Sequence, residues 1–311
     1  MALMFKKVLL ASCLICSFVV GDQAFLESNF EAEITKFITE RGFPGAVVCI
    51  YQNDNMLLNK AYGSGVDVNQ IYPLASLTKN FTFRAIEKLI EEKLLSREEK
   101  AWAYLNLSKT PLDPRVQDIT IGQLLEHRGG WNADISGDPL FAGNQDALIE
   151  EVMCSSMLDF SPGTQDHYSN FGYLVLGVVI ERVTGMDYLD YINQTFAQPL
   201  NLQIYQAKTP TQFTRETPFA MTFQLEKITS SLGLAAKAQD LAQIVASRQK
   251  SRTFSWWLDG SLPGTITNLI RSRVNNVTIV VFIPDRDDNT WKDDNLDLRK
   301  AVDRAASRSG L

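Results

Sequence analysis

The order of its secondary-structure patterns limits the folds open to this chain more than any other sequence feature. Strand patterns rich in β-branched residues occur near both ends, each beside one amphipathic helix pattern, while residues from about 96 to 250 read mostly as helices separated by Pro and Gly loops. Strands from both ends can pair into one sheet, with the terminal helices on one face and a helical lobe inserted between. We therefore predict an α+β fold, an α/β arrangement of two lobes around an antiparallel sheet.

Periodicity and turn residues place the individual elements. Ser28 is a candidate N-cap for the first helix, and Asn53-Asp54-Asn55 has the turn chemistry of a hairpin between the first two strands. The predicted strands cover residues 46–52, 56–62, 253–257, 264–272 and 276–283. The predicted helices cover residues 28–41, 76–94, 120–126, 171–184, 189–196, 238–247 and 295–308.

The first 21 residues differ from the rest of the chain. Lys6 and Lys7 precede an apolar run from Val8 to Val20, which is the arrangement of a secretory signal peptide and is too short to span a bilayer. We expect cleavage, no stable membrane span afterwards, and a secreted or periplasmic protein. A lipoprotein anchor at Cys13 is the alternative, which we disfavour because the apolar run continues past that cysteine.

The remaining residues, 22–311, are predicted to form a single domain. Its sheet lobe would take residues 22–75 and 250–311, and its helical lobe would take residues 76–249. The sequence carries no internal repeat and no low-complexity linker that would divide it further. It also carries no signal for an oligomeric state.

Charge and composition exclude several classes of function. A net charge of −6 without a basic patch argues against a nucleic-acid partner. The chain has no Walker loop and no dinucleotide-binding glycine pattern, and its two histidines lack H-E-x-x-H spacing, so we predict neither a cofactor nor a metal. Cys49 and Cys154 could pair in an exported protein, but we favour two buried, small apolar residues because Cys49 lies in an apolar strand pattern.

Ser76-Leu77-Thr78-Lys79 places a hydroxyl and an amine on one face at the start of a helix, because three residues make about one turn. A buried lysine with a lowered pKa can activate a serine, and the helix N-terminus favours a developing oxyanion. An N-capping serine with a solvated lysine is the alternative. The same spacing recurs at Ser247 and Lys250, but late in a helix and with no chemistry after it, so the first copy is the candidate nucleophile.

Tyr168-Ser169-Asn170 places a phenol and an amide two residues apart. A tyrosine between cations can act as a general base or relay a proton, and the amide can bind a substrate carbonyl and the lysine. Tyr51, Tyr104 and Tyr191 begin the same pattern, and a core tyrosine is the alternative for every copy. Tyr168 differs in its context, because it lies in a loop just before an apolar helix, where a residue can face a cleft.

Five segments around these motifs occur in a characteristic order. They read T-I-G-Q-L-L-E-H-R-G-G-W at 120–131, F-S-P-G at 160–163, Y-S-N-F-G-Y at 168–173, S-L-G-L at 231–234 with D-L-A at 240–242, and G-S-L-P-G-T at 260–265. Together with S-x-x-K, they resemble class C β-lactamases and their relatives in the serine β-lactamase and penicillin-binding-protein superfamily. The resemblance extends from Phe30 to the final helix and implies a β-lactamase/DD-peptidase-like fold.

The resemblance also implies roles for individual residues. Ser76 would be the acylated nucleophile, Lys79 its activating partner and Tyr168 the general base, with Asn170 positioning the substrate. The backbone N–H groups of Ser76 and Ser261 would form the oxyanion hole. Gly260 would let a substrate lie close to the strand that carries it.

One departure from the family pattern bears on activity. The family begins its third motif with Lys or His, which holds the substrate carboxylate and helps to poise the tyrosine. Here the triplet is Leu258-Asp259-Gly260, so the cation is absent and Asp259 has the wrong sign for an anionic substrate. Arg271 and Arg252 are candidates for a replacement charge.

Two hypotheses follow for function. The first is an exported serine hydrolase that acts through an acyl-enzyme, without a cofactor, on a small ester, amide or D-amino-acid peptide. The second is a catalytically weak relative that binds a peptidoglycan fragment or a protein partner without turnover, which the loss of the cation at Leu258 favours. The intact set of Ser76, Lys79 and Tyr168 favours the enzyme.

Five further residues, two histidines and three tryptophans, also have expected places in the fold. His127 is expected to be a structural loop residue, and His167 an exposed one despite its place beside Tyr168. Trp131 and the pair Trp256-Trp257 are candidates to line a cleft, although such a pair on a strand more often supplies one core and one surface ring.

Overall fold

The computed structural model describes residues 23–141, 148–208, 224–248, 256–272 and 275–311. The predicted signal peptide and the lipoprotein cysteine, Cys13, lie outside these residues. Among the described helices, none combines the length and the apolar character needed to cross a membrane.

Ten helices and eight strands of the described residues are used below. The helices are α1 (23–41), α2 (Thr78–Glu91), α3 (Trp102–Leu105), α4 (Ile121–Leu125), α5 (Leu148–Ser155), α6 (Asn170–Thr184), α7 (Tyr188–Ile192), α8 (Thr229–Leu232), α9 (Ala238–Arg248) and α10 (Trp291–Arg308). The strands are β1 (Gly45–Gln52), β2 (Asn55–Gly63), β3 (Tyr72–Pro73), β4 (Tyr205–Gln206), β5 (Leu234–Ala236), β6 (Trp256–Leu262), β7 (Thr265–Ser272) and β8 (Val277–Ile283).

Strands from both ends of the chain form one five-stranded antiparallel sheet, which confirms the predicted fold class. Its order is β2-β1-β8-β7-β6, so the N-terminal hairpin joins the C-terminal strands where β1 pairs with β8. β1 and β8 lie in the centre, and their almost wholly buried residues require cover on both faces. β6 is the edge strand that borders the helical part of the molecule.

Each face of the sheet packs against its own hydrophobic core. One core contains residues of α1 and α10 together with Ala46, Val48 and Ile50 of β1. The other contains Val47 and Cys49 together with α2, α6 and α9. This period of two along β1 sorts the strand between the two cores. The terminal helices therefore cover one face, and the helices from the middle of the chain cover the other.

A second, three-stranded sheet was not predicted. Its order is β3-β5-β4, and each strand has only two or three residues. Such short strands give no readable alternation. The sheet nonetheless connects the nucleophile segment to the helical part, because Leu74 N donates a hydrogen bond to Leu234 O over 2.7 Å.

Three predicted helices had wrong boundaries. α1 begins at residue 23, so Ser28 lies inside the helix and does not cap it, whereas Gly42 ends it with φ of +67° as a left-handed glycine does. α10 begins at Trp291 instead of residue 295. α2 begins only at Thr78, after a 3-10 turn at Ala75–Leu77, and ends at Glu91.

The predicted strand at 253–257 was also misplaced. The observed strand, β6, covers Trp256–Leu262, and residues 253–255 lie outside the described part of the chain. The sequence W-W-L-D-G-S-L breaks strict alternation with a glycine and an aspartate, so the pattern rule stopped too early. As a result, Leu258, Gly260 and Ser261 lie within the strand instead of after it.

Other local predictions were confirmed. Thr120 caps α4 in a capping box, accepting a hydrogen bond from Gln123 N while the Gln123 side chain accepts one from Thr120 N. α6 covers the predicted apolar segment and ends at Gly185, with φ of +68°. Cys49 and Cys154 are buried free thiols.

Candidate active site

Ser76 lies in the 3-10 turn that leads from β3 into α2. The preceding residue, Ala75, is fully buried and has φ of +49°, a left-handed conformation that non-glycine residues rarely adopt. Strained backbone of this kind is maintained only where the surrounding structure fixes it, and it is often found at functional sites. The strain orients the Ser76 side chain toward a cleft between β6 and the helical part of the molecule.

Lys79 lies one turn after Ser76 in α2, and its side chain is buried. Its Nζ is 3.5 Å from Ser76 Oγ and donates a hydrogen bond to Ser231 O in α8 over 3.1 Å. Burial lowers the pKa of Lys79 to about 7, although the negative charge of Asp138 acts in the opposite direction. Lys79 can therefore exist as a neutral amine, and thus as a base, near neutral pH.

Tyr168 approaches Ser76 from the opposite side. Its hydroxyl donates a hydrogen bond to Ser76 Oγ over 2.8 Å, and Lys79 Nζ lies 5.0 Å from its ring centroid. About half of the side chain is exposed, but the hydroxyl lies at the enclosed end against Ser76. Burial raises the pKa of Tyr168 above its ordinary value. At neutral pH the residue is therefore a phenol, which is a proton donor.

The loop that carries Tyr168 is fixed at both of its ends. Ser169 caps α6 by accepting a hydrogen bond from Gly172 N, and its own N–H donates to His127 Nδ1 over 3.1 Å. The His127 ring packs on Tyr168 and Tyr173, with centroid distances of 4.6 and 5.0 Å. Burial, assisted by the charge of Lys79, lowers the pKa of His127 to about 4, so the ring is neutral. His127 thus positions Tyr168. This is a structural role, as predicted, but His127 lies within the site.

Asn170 lies beside the nucleophile with its amide held by a residue that the sequence did not indicate. Its side-chain Nδ2 donates a hydrogen bond to Asp138 Oδ2, and Ser231 Oγ donates one to the backbone carbonyl of Asn170 over 2.9 Å. Asn170 Oδ1 is buried and has no hydrogen-bond partner among the residues that the structure describes. It is therefore positioned as an acceptor for a ligand N–H. Asp138 belongs to no motif, and only its location in the fold reveals it.

β6 forms the other wall of the cleft and contributes mainly its backbone. A Cβ on Gly260 would lie 2.4 Å from Thr267 Oγ1, 2.7 Å from Leu74 O and 3.0 Å from Ser76 N, so only glycine allows the nucleophile turn to lie against the strand. The sequence predicted that Gly260 lets a substrate lie close to this strand. In the structure, the nucleophile turn of the protein itself lies close to the strand at Gly260. Thr267 Oγ1 supports it by donating to Leu74 O over 3.1 Å. Ser76 and Ser261 both line the cleft at this contact.

A pocket of about 360 Å³ opens on one side of Ser76, toward the start of β6. Its walls combine the proton-carrying groups with apolar side chains, of which Phe83 and Tyr173 were not predicted, whereas the pair Trp256-Trp257 was a candidate to line a cleft. These apolar walls are Phe83, Tyr173, Trp256, Trp257 and Leu258. Trp257 is held by α10, where the Arg299 guanidinium lies 4.8 Å from its ring. Asp259 is exposed at the mouth of this pocket.

A second pocket of about 430 Å³ opens on the other side of Ser76, toward the end of β6. It includes Asn170, Ser261 and a cation that the sequence did not assign, Arg286. The Arg286 guanidinium is held by Asp288 and Trp291, and its Nη1 lies 3.4 Å from Ser261 Oγ. Arg286 therefore lies on the opposite side of Ser76 from Leu258, the residue at the position of the family's third-motif cation.

Several other candidates lie elsewhere. Arg271 is buried and donates hydrogen bonds to Thr278 and Asn276 at the far end of β7 from Thr267, and Arg252 lies outside the described residues. Trp131 is in the core, with its ring packed edge-on against Phe171.

The remaining two candidates are also distant from the nucleophile. His167 was expected to be exposed but is half-buried, because its ring stacks on Phe160. The hydroxyl of Ser247, which begins the second S-x-x-K, donates a local hydrogen bond to Ile244 O in α9.

The chain was compared with known families and proteins. A family model described as β-lactamase matches residues 30–251. Protein flp of Staphylococcus aureus strain N315 is 30% identical over 191 residues, which cover 57% of this chain and 38% of that protein. This chain therefore aligns with well under half the length of the curated relative that it matches.

Solved structures share the fold at lower sequence identity. The D-amino acid amidase of Ochrobactrum anthropi SV3, complexed with L-phenylalanine amide, has a TM-score of 0.71 at 14% identity and covers 91% of this chain and 98% of its own. The β-lactamase/D-alanine carboxypeptidase of Yersinia pestis, complexed with citrate, has a TM-score of 0.70 at 12% identity and covers 89% and 98%. At these identities the likeness establishes the fold.

Proposed function

Because this chain belongs to the β-lactamase family, we propose that it is an exported serine hydrolase that acts through an acyl-enzyme on a small ester, amide or D-amino-acid peptide. The single observation that carries this proposal is the arrangement around Ser76. Its Oγ accepts a hydrogen bond from the Tyr168 hydroxyl at 2.8 Å and lies 3.5 Å from the buried amine of Lys79. A serine with one group able to accept its proton and another able to donate a proton to the leaving group is equipped for acyl transfer.

The acid and base roles divide according to the two pKa shifts. Lys79, with a pKa of about 7, is the neutral base that accepts the Ser76 proton as Oγ attacks the carbonyl carbon. Tyr168, whose pKa is raised by burial, remains a phenol and donates its proton to the departing oxygen or nitrogen. The protonated Lys79 then restores the Tyr168 proton. This assignment gives Tyr168 the role of general acid in the first step, in place of the general-base role that the family resemblance implies.

The tetrahedral intermediate needs a site for its negative oxygen. The N–H groups of Ser76 and Ser261 are the donors available, and the contact of Gly260 with Ser76 N brings their two segments together. A donor of this kind contributes about 10²–10³-fold in rate. Deacylation repeats the steps with water, which gives a proton to the neutral Lys79 while Ser76 Oγ regains one from Tyr168.

The range of substrates follows from the relatives in a coarse way. An amidase that acts on D-amino acids and a β-lactamase/D-alanine carboxypeptidase share this fold. Both reactions attack a carbonyl and expel an amine, and esters react through the same steps. Export rests on the basic and apolar pattern of residues 1–21.

A weakly active binder is the second candidate, and Leu258 is the observation that favours it. An apolar side chain replaces the cation that the family resemblance leads one to expect there. Such a protein would bind a peptidoglycan fragment or a protein partner without turnover.

The test is turnover and intact mass of the purified protein with a p-nitrophenyl ester and, separately, with a penicillin. We expect Ser76-dependent ester hydrolysis and a transient mass increase equal to the acyl group. Ser76→Ala should abolish both signals. Ser247→Ala is the matched control, since Ser247 also begins an S-x-x-K but lies in α9, and it should leave the rate unchanged.

Each outcome separates the two candidates. Full activity in Ser76→Ala would disprove the proposed mechanism. Binding of peptidoglycan fragments without any acyl adduct on the wild-type protein would favour the second candidate.

A further inference from the structure

The two pockets beside Ser76 are not equivalent for catalysis. Lys79 and His127 line only the pocket on the Leu258 side, whereas Asn170, Ser261 and Arg286 line only the other. In acyl transfer the departing group must receive a proton as its bond to the carbonyl carbon breaks. Ser76 and Tyr168 line both pockets, but Lys79, which must return a proton to Tyr168, lines only the Leu258-side pocket, so that pocket is the one assigned to the departing group. We call it the leaving-group pocket.

The walls of the leaving-group pocket are apolar. Phe83 from α2, together with Trp256 and Leu258 from β6, packs against the core below it, so these walls are fixed instead of being loose surface side chains. By strand alternation Trp256 and Leu258 share one face of β6. The volume of about 360 Å³ is enough for one aromatic ring or a short alkyl chain.

The charges in the same pocket disfavour an anion. Among its described lining residues, the one lysine or arginine is Lys79, and burial already favours the neutral form of that amine. Asp259 adds a carboxylate at the mouth. Burying a negative charge here would leave it without a partner, and an unpaired buried charge is costly.

From these observations we infer that the leaving-group pocket selects an uncharged, apolar leaving group, so that the substrates are esters or amides of aryl or alkyl alcohols or amines. This inference rests on the proposed function. In the reaction, a bond forms between Ser76 Oγ and the carbonyl carbon. The bond from that carbon to the alcohol oxygen breaks, and the oxygen takes the proton of Tyr168. The free alcohol then departs from between Leu258 and Phe83 without a charged contact.

The experiment uses two esters that differ only by a carboxylate on the leaving group, phenyl acetate and 4-acetoxybenzoate. Their kcat/KM values are normalised to the hydroxide-catalysed rates to remove intrinsic reactivity. We expect the wild-type protein to prefer phenyl acetate by at least about tenfold, because the carboxylate finds no cation. As a check that needs no variant, phenol should inhibit competitively at lower concentration than 4-hydroxybenzoate.

Leu258→Lys tests the assigned position, and Leu258→Met is the matched uncharged control. The lysine should reduce the preference for phenyl acetate by about tenfold or more through a gain on the carboxylate ester. The methionine should retain the wild-type ratio, since it keeps a similar apolar volume. Circular dichroism of both variants establishes that they are folded.

The outcomes distinguish this inference from the function on which it rests. Ser76-dependent hydrolysis of both esters at equal normalised rates would overturn the inference and leave the proposed function standing. An unchanged ratio in folded Leu258→Lys, or equal inhibition by the two phenols, would also overturn it. Turnover that persists in Ser76→Ala, or no turnover of either ester, would remove both proposals.

Discussion

The two walls of the cleft contribute in different ways. The helical wall, with α2, α6 and the loop before α6, supplies side chains: Ser76, Lys79 and Tyr168 lie within hydrogen-bond reach or close to it. The β6 wall supplies backbone at Gly260 and Ser261, together with the apolar surface around Leu258. The ionisable and nucleophilic side chains are thus mainly on the helical wall, whereas the β6 wall mainly determines the shape of the cleft.

This difference explains how one wall can depart from the family pattern while the other keeps it. Proton transfer depends on the identity and burial of particular side chains, so the proposed mechanism needs Ser76, Lys79 and Tyr168 themselves. A backbone N–H is present whatever the side chain, so the oxyanion donor proposed at Ser261 does not require the family's residues at Leu258 and Asp259. The two walls should therefore respond very differently to mutation.

The largest effect is expected from Lys79→Met. It removes the base on the helical wall, and kcat/KM for a p-nitrophenyl ester should fall by about 10³-fold. Lys88→Met is the matched control, because Lys88 is exposed in the same helix and pairs with Glu92. It should leave the rate unchanged. Asp259→Asn removes the ionisable side chain of β6. An equally large loss of kcat/KM in that variant would contradict the proposed difference between the two walls.

The second effect tests the backbone contribution of β6. Gly260→Ala places a Cβ against Leu74 O and Ser76 N, and so must move the nucleophile turn away from the strand. We expect kcat to fall by about 10²-fold and the free energy of unfolding to fall by about 1–3 kcal/mol. Ester hydrolysis measures the change in kcat, and urea titration measures the change in the free energy of unfolding.

Gly172→Ala is the control for that substitution. Gly172 lies near the site in α6, but the nearest atom to a Cβ there is Leu124 Cδ2 at 3.5 Å, an ordinary contact. The variant should be as active and as stable as the wild-type protein, or slightly more stable, since alanine favours a helix. Equal losses at Gly260 and Gly172 would mean that β6 makes no special contact with the nucleophile turn.

The same division separates what the sequence predicted from what it did not. On the helical wall, Ser76 lies in the 3-10 turn that leads directly into α2, and Lys79 follows three residues later, so spacing alone places them together. Tyr168 precedes an apolar helix whose start is marked by the capping residue Ser169. Local patterns of this kind are readable without knowledge of the fold.

The missing parts depend on contacts between residues distant in sequence. Asp138 meets Asn170 across 32 residues, and Phe83 faces a strand that begins at residue 256. Arg286 follows β8 in an acidic run that resembles any solvated loop, and it reaches Ser261 only because β6 and β8 flank β7. No local periodicity encodes contacts between residues so distant in sequence. For the same reason, the end of β6 was predicted too early, at residue 257 instead of Leu262.

A third, smaller effect is the pH dependence of the helical wall. Lys79 must be neutral to accept a proton, and its pKa is about 7. Below that pH the amine is charged and the rate falls, while above it the rate levels off, so kcat/KM should be about tenfold higher at pH 8 than at pH 6. His127, with a pKa of about 4, is already neutral through this range. A rate that keeps rising beyond pH 9 would instead assign the base to a lysine of ordinary pKa.

The smallest effect concerns the charge behind the helical wall. The carboxylate of Asp138 raises the pKa of Lys79 against the effect of burial, so Asp138→Asn should lower that pKa further and move the acid limb of the pH profile to lower pH. The plateau rate should fall only a few-fold, because the new amide oxygen can still accept the hydrogen bond of Asn170 Nδ2. Asp134→Asn, in the same loop, should leave the limb in place. Since a purely structural role for Asp138 would lower the plateau without moving the limb, the direction of the shift decides whether this aspartate tunes the base or only holds the asparagine.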